Sequence, residues 1–190
     1  LGGRGDPNLH ENFEDILHYA KEHNVIPNYT TSGNNLTDRQ IAISKDLCGA
    51  VAVSDYKQDF TYSAIKRFQG VGMKTNIHYI LKKDTIDEAF NILDGEDVWE
   101  GNINLSKVNA IIFLLFKAQG RGKNRFDLIP DNEQMKTFID KTRKNKFSGK
   151  IGLDSCAFNK FSQLSVLNNS EKLFGDTCEA ARMSCYITPD

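Results

Sequence analysis

The chain has 190 residues, 39% hydrophobic and 26% charged, with a formal net charge of −1. This ordinary globular composition can build one core in one or two domains. Its near-neutral balance gives no basis for a nucleic-acid groove or an anionic membrane surface. No apolar run approaches the roughly 18 residues a membrane-spanning helix needs; the longest, Ala110 to Phe116, reads as a buried strand. No secretory or transit signal is read, and the expected location is cytoplasmic.

In chain order, Phe13, Ile16, Leu17 and Ala20 recur at helical spacing and predict an amphipathic helix over 10–23. NVIPNYTTSG follows as a short strand ending in a Thr-Thr-Ser-Gly turn, and Thr37 to Gln40 reads as a capping box for the next helix. CGAVAVSDY, from Cys48, reads as a buried strand. Tyr62, Ile65, Phe68 and Gln69 mark a third helix that stops at Gly70 or Gly72. TNIHYILKK is a strand, and Thr85 to Glu88 reads as a second capping box, with Ala89, Ile92 and Leu93 on its helix. A long connection from Gly95 to Lys107 carries the sole Trp. VNAIIFLLFKAQGRG is the strongest strand, Asp131 caps a helix bearing Met135, Phe138 and Ile139, and KIGLDSC is the last strand. Beyond it the helical rhythm is lost.

Strands alternating with single helices predict repeated βα units on a parallel sheet, a partial (β/α) barrel. In such sheets ligands sit at the C-terminal strand ends. The residues there are Gly2 to Asp6, Thr30 to Gly33, Ser54-Asp55, Lys82-Lys83, Lys117 to Gly122 and Asp154 to Cys156. Glycines, hydroxyls, carboxylates and lysines prevail, a rim suited to a polar small molecule. Each has a plainer reading as a turn or helix cap. The run Gly120 to Gly122 is no phosphate-binding loop, because it lacks the Gly-Lys-Ser/Thr ending. On the strand TNIHYIL, alternation puts Asn76, His78 and Ile80 on one face and Thr75, Ile77, Tyr79 and Leu81 on the other. Two polar side chains on one face of a central strand need partners, which a polar ligand would supply.

The four cysteines are Cys48, Cys156, Cys178 and Cys185. Three fall after residue 155, which favours a metal site or free thiols over a disulfide framework and leaves both open. Cys48 reads as a small core residue. His10, His18 and His23 match no zinc spacing and read as surface.

GGRGDPNLHENFEDILHYAKEHNVIPNYTTSGNNLTD resembles the core of the radical S-adenosylmethionine (radical SAM) superfamily. That core has a Gly-Gly-Glu-Pro-like turn at a strand end, an acidic helix, and a strand ending in Thr-Asn-Gly or similar. Here the turn is Gly-Gly-Arg-Gly-Asp-Pro, and Thr31-Ser32-Gly33 stands for Thr-Asn-Gly. The strands AVAVS, TNIHYIL and LLFKAQGRG keep the family's order, so the resemblance covers residues 1 to about 155. The stretch from Cys178 to Asp190 resembles the opening of a SPASM-type auxiliary cluster domain, and GLDSC resembles a cysteine-bearing strand end of such relatives.

The resemblance implies a barrel core over 1–155 and the start of a SPASM-like extension over 156–190. It implies an enzyme that uses S-adenosylmethionine and a 4Fe–4S cluster to generate a 5′-deoxyadenosyl radical for hydrogen abstraction from a peptide or protein. An electron donor such as flavodoxin or ferredoxin is implied too. By position, Gly2 and Gly3 would meet the methionyl amine, and Asp6 would support that turn. Thr31 and Ser32 would line the pocket, and Ser54 would contact carboxylate or ribose. Asn76 or His78 would contact ribose or adenine, and Leu114, Leu115 and Lys117 would border the adenine. Arg4 departs from the pattern. Cys156, Cys178 and Cys185 become candidate ligands of an auxiliary 4Fe–4S cluster. The chain is expected to be an inactive fragment, with the first strand and the Cys-x3-Cys-x2-Cys loop of the catalytic cluster ahead of residue 1. Two other readings stand beside this one: a non-catalytic α/β binding module, and a barrel lyase or aldolase with a Schiff-base lysine at Lys82 or Lys117.

Overall fold

The computed structural model describes residues 1, 5–99, 103–164 and 167–168. The expectations on Gly2, Gly3, Arg4, Cys178 and Cys185 therefore lie outside the described residues. The elements are α1 (Phe13–Glu22), β1 (Tyr29–Thr31), α2 (Asp38–Leu47), β2 (Val51–Ser54), α3 (Asp59–Gly70), β3 (Thr75–Leu81), α4 (Ile86–Leu93), β4 (Val108–Leu115), α5 (Asn132–Arg143), β5 (Lys150–Leu153) and α6 (Ser155–Gln163). Short 3-10 turns occupy Pro7–Leu9, Leu105–Lys107, Gly120–Gly122 and Phe126–Leu128. The five strands form one sheet in the order β1-β2-β3-β4-β5. β1 pairs with β2, and β2 with β3, in parallel. Sequential order with a helix in every crossover is the arrangement of a (β/α) barrel, as expected for a partial one.

Local sequence explains most of these elements. Thr37 caps α2, and Asp131 caps α5. Each takes the N3 backbone N–H on its side chain, and Gln40 or Gln134 reaches back to the cap N–H. Such caps are worth about 1 kcal/mol each. The capping box expected at Thr85 is not formed: α4 begins there with no side-chain cap. Its Ile86, Ala89, Ile92 and Leu93 are all buried, so packing rather than capping holds it. Cys48 does not open a strand. It is the C-cap of α2, and β2 starts only at Val51.

A further correction concerns the stretch after β5, where α6 forms. Asp154 is its N-cap and accepts the Ala157 N–H at 2.8 Å. Ala157 and Phe161, four apart, are both buried. Cys156 thus lies in the first turn of a helix rather than at a strand end.

Residue contacts divide the chain into two compact units. The first holds Leu1–Tyr79, Asp97–Ile112 and Phe147–Lys150; the second holds Ile80–Glu96, Phe113–Lys146 and the chain from Ile151. In the first unit Phe13 meets Tyr29 edge to face with ring centres 5.0 Å apart, and Leu17, Val51, Val53, Ile65, Phe68 and Ile77 are wholly buried. In the second, Phe138 meets Phe113 edge to face at 5.0 Å and stacks on Phe161 at 5.9 Å. Met135, Ile86 and Ile92 are wholly buried in the same unit.

Candidate functional site

The site in the first unit is built from strand alternation. Thr75, Ile77 and Tyr79 of β3 are buried, while Asn76 and His78 are half-open, as the pattern predicts. Register then sets the neighbours. Thr30 of β1 lies opposite Ala52 of β2, and Ala52 lies opposite Asn76, making one row across three strands. The next row holds Ser54 opposite His78. A cleft of about 360 Å³ opens beside the first row, lined among others by Asn28, Thr30, Ala52 and Asn76. Asn109 donates its amide to the Asn76 carbonyl oxygen at 2.7 Å, which leaves the Asn76 NH₂ as a donor.

Among the described residues, nothing hydrogen-bonds or ion-pairs with the His78 imidazole. Burial lowers its pKa below the usual histidine value, because a charged ring loses hydration there. It is therefore neutral near pH 7, with one nitrogen able to donate and one to accept.

The opening turn is tied to the end of β1. Asp6 accepts the Ser32 N–H on Oδ1 at 2.8 Å, and the Ser32 hydroxyl donates to Oδ2. The Thr31 hydroxyl donates to Asn8 Oδ1 at 2.7 Å and accepts the Gly33 N–H at 2.9 Å. Asn8 also accepts the Gln40 amide on its backbone oxygen at 2.7 Å, joining this network to the cap of α2. Thr31 is buried and does not line the cleft, whereas Tyr29 and Thr30 do. Gly33 has φ +89°, and a Cβ there would come within 2.5 Å of Ala64 Cβ, so only glycine fits this turn.

At the end of β2, Asp55 donates its N–H to the His78 carbonyl at 2.9 Å. Its Oδ1 accepts the Lys57 N–H at 2.9 Å, and its Oδ2 accepts the Trp99 indole N–H at 2.8 Å. Lys57 holds a left-handed φ of 55°, a conformation uncommon for a residue with a side chain. Sequence reasoning missed the Trp99–Asp55 bond. A lone Trp in a long connection was its one available sign.

In the second unit, Leu115, Lys117 and Cys156 gather about Asp154. Asp154 Oδ1 accepts the Leu115 N–H at 3.2 Å, and Lys117 Nζ lies 3.3 Å from Oδ2. Burial alone would lower the Lys117 pKa. The hydrogen bond with Cys156 and the Asp154 charge outweigh it and raise the value. An ammonium held charged is a poor Schiff-base nucleophile, which removes the support for the aldolase reading at Lys117. Lys82 sits 3.7 Å from Asp84 and also has an acid beside it. Cys156 and Cys48 are free thiols, and burial pushes the Cys48 thiol up to about 11. No group of three or more His, Cys, Asp or Glu side chains among the described residues could hold a metal ion. Nor is any helix among them long and apolar enough to cross a membrane.

The rows on β1–β3 and the strand-end residues define an α/β protein of the (β/α)-barrel kind with a polar face. No protein-family description and no curated protein matches the chain. Solved structures do. Streptococcus suis SuiB bound to S-adenosylmethionine matches with TM-score 0.61 and 13% identity over 90% of this chain and 42% of that one. SuiB bound to its precursor peptide SuiA matches with TM-score 0.60 and 14% identity, over 89% and 40%. A domain of pyruvate-formate lyase-activating enzyme from Bacteroides vulgatus ATCC 8482 matches with TM-score 0.55 and 13% identity, over 80% and 97%. The chain thus spans about 40% of the length of SuiB. The fold is the one these structures share. At 13–14% identity the likeness is one of fold.

Proposed function

We propose that the chain is part of a radical SAM enzyme and that the polar face of β1–β3 receives S-adenosylmethionine. The observation that carries this reading is the pairing of Ser54 with His78 in one cross-strand row, beside the Thr30–Ala52–Asn76 row. The donor set fits the cofactor. These residues are neutral hydrogen-bonding groups, matched to ribose hydroxyls and ring nitrogens. No lysine or arginine stands in either row to repel a sulfonium or an ammonium. When bound with a reduced 4Fe–4S cluster, S-adenosylmethionine supplies the chemistry of hydrogen abstraction.

The chain's own residues bind and orient. Ser54 and His78 hold hydroxyl or ring groups at the strand ends. Asn76, its carbonyl engaged by Asn109, donates from a fixed amide. Asp6 ties the chain ahead of α1 to Ser32 at the end of β1; the expectation that Gly2 and Gly3 meet the methionyl amine falls outside the described residues. Thr31 takes part through Asn8 and Gly33 rather than by direct contact. Leu115 and Lys117 lie in the second unit and are given no part in this reading. The described residues do not assemble a cluster site, and no step is assigned to Cys156.

A peptide or protein is the proposed substrate, since SuiB has been solved with its precursor peptide. An electron donor such as flavodoxin or ferredoxin would serve the cluster, in a cytoplasmic setting. The proposed SPASM-like extension rests on the resemblance of the stretch from Cys178 to Asp190, outside the described residues.

The test is anaerobic reconstitution of the full-length gene product with iron and sulfide, followed by reduction with S-adenosylmethionine and assay for 5′-deoxyadenosine. The nucleoside is expected, and Ser54→Ala with His78→Ala should weaken cofactor binding about tenfold, two lost hydrogen bonds' worth, with iron content unchanged. Iron-loaded protein that releases none overturns the reading.

A further inference from the structure

We propose that the connection between β4 and α5 docks an acidic peptide segment, with Arg121 and Lys123 pairing its carboxylates and Phe126 receiving an apolar side chain. From Lys117 to Asp127 this connection carries four cations, Lys117, Arg121, Lys123 and Arg125, against one acid, Asp127, in a chain whose net charge is only −1. The surrounding cations have acids beside them: Lys82 with Asp84 at 3.7 Å, Lys83 with Asp131 at 3.9 Å, Lys117 with Asp154 at 3.3 Å and Arg125 with Asp127 at 2.8 Å. Arg121 and Lys123 are exposed and make no ion pair among the described residues. Phe126, in the same connection, is 67% exposed, more than any other large apolar side chain among the described residues.

The connection is built to present these groups. Two 3-10 turns, Gly120–Gly122 and Phe126–Leu128, are linked by backbone bonds: Lys123 N–H to Gly120 O at 3.1 Å, Arg125 N–H to Gly122 O at 3.0 Å and Leu128 N–H to Arg125 O at 3.2 Å. Leu128 O in turn accepts the Lys83 N–H at 2.8 Å. A Cβ on Gly122 would fall 2.8 Å from the Phe116 ring and 3.0 Å from Lys117 O, so the loop folds back tightly over Phe116. Holding the loop in place lowers the ordering cost of binding. Two cations with one aromatic three residues further on suit a short peptide. A nucleic-acid backbone would call for a longer track of positive charge.

The proposal concerns binding at the second unit alone and does not depend on the cofactor reading. The test is fluorescence anisotropy of the whole chain with a labelled dodecapeptide of glutamates around a central leucine. The glutamine counterpart and an oligothymidylate serve as competitors. Expected are binding that weakens as salt rises and a loss of about tenfold in Arg121→Glu/Lys123→Glu, two exposed pairs turned repulsive. Arg121→Gln/Lys123→Gln should lose less, and Phe126→Ala should lose about threefold, part of a buried side chain's transfer energy. Lys21→Glu, on α1, should bind as the unaltered chain does. Unchanged affinity in both the reversed and the neutralised pair overturns the proposal. So does displacement of the peptide by oligothymidylate at lower concentration than by unlabelled peptide, which makes the surface a nucleic-acid site.

Discussion

The Asp6 carboxylate holds both the backbone N–H and the hydroxyl of Ser32, so the opening turn is bonded to the residue that follows β1. Hydrogen bonds to a charged acceptor each contribute roughly 1.5–3 kcal/mol, and an orphaned donor adds to the loss. The pair is part-buried, which places the expected cost of Asp6→Ala near 2 kcal/mol in urea unfolding. Asp6→Asn keeps one carbonyl acceptor and should lose about half as much. An alanine variant as stable as the parent would show that the turn is held by other means.

His78 makes stability depend on pH. Its folded-state pKa is lowered by burial, so the unfolded chain takes up the proton first. Its contribution is complete above the ordinary imidazole pKa of about 6.5. It declines as pH falls from there towards the folded-state value, and it stays level once both states are protonated. Denaturant unfolding at about pH 7.5 and about pH 5.5 should therefore show a loss in the parent that is smaller in His78→Gln, which cannot titrate. An equal loss in both proteins would place the pH dependence elsewhere.

Trp99 is the single tryptophan and is buried, its indole N–H on Asp55. Trp99→Phe retains most of the apolar surface and removes the donor, at an expected cost of about 1–2 kcal/mol. Asp55→Asn in the parent keeps an acceptor but drops its charge, so a smaller loss is expected, together with a shift in Trp99 emission as the field on the indole changes. Emission that stays fixed on this substitution would mean the bond is not formed in solution.

Local pattern was enough for much of the fold. Thr37 with Gln40 is a contiguous signal whose capping box forms, and Asp131 caps α5 as expected, while the box expected at Thr85 does not form. Alternation in TNIHYIL separates Asn76 and His78 from Ile77 and Tyr79, and the structure keeps that separation. The polar strand ends were legible to the same depth, since strand ends can be read from a sequence. Which face Thr30 or Thr31 takes could not be, because β1 is three residues long and too short to show a period of two. The helix after β5 escaped notice because Ala157 and Phe161 give it only two buried anchors.

The sequence by itself determined the order of strands and helices as far as β5, the parallel class of the sheet and the polar character of the strand ends. All of these follow from periodicity and caps within one or two turns of chain. Only the tertiary structure decided that Ser54 faces His78, that Asp6 closes on Ser32 and that Trp99 reaches Asp55 across 44 residues. Those contacts depend on register and chain reversal, where the free energy lies in pairing residues distant in sequence and leaves no mark on the local pattern of either partner.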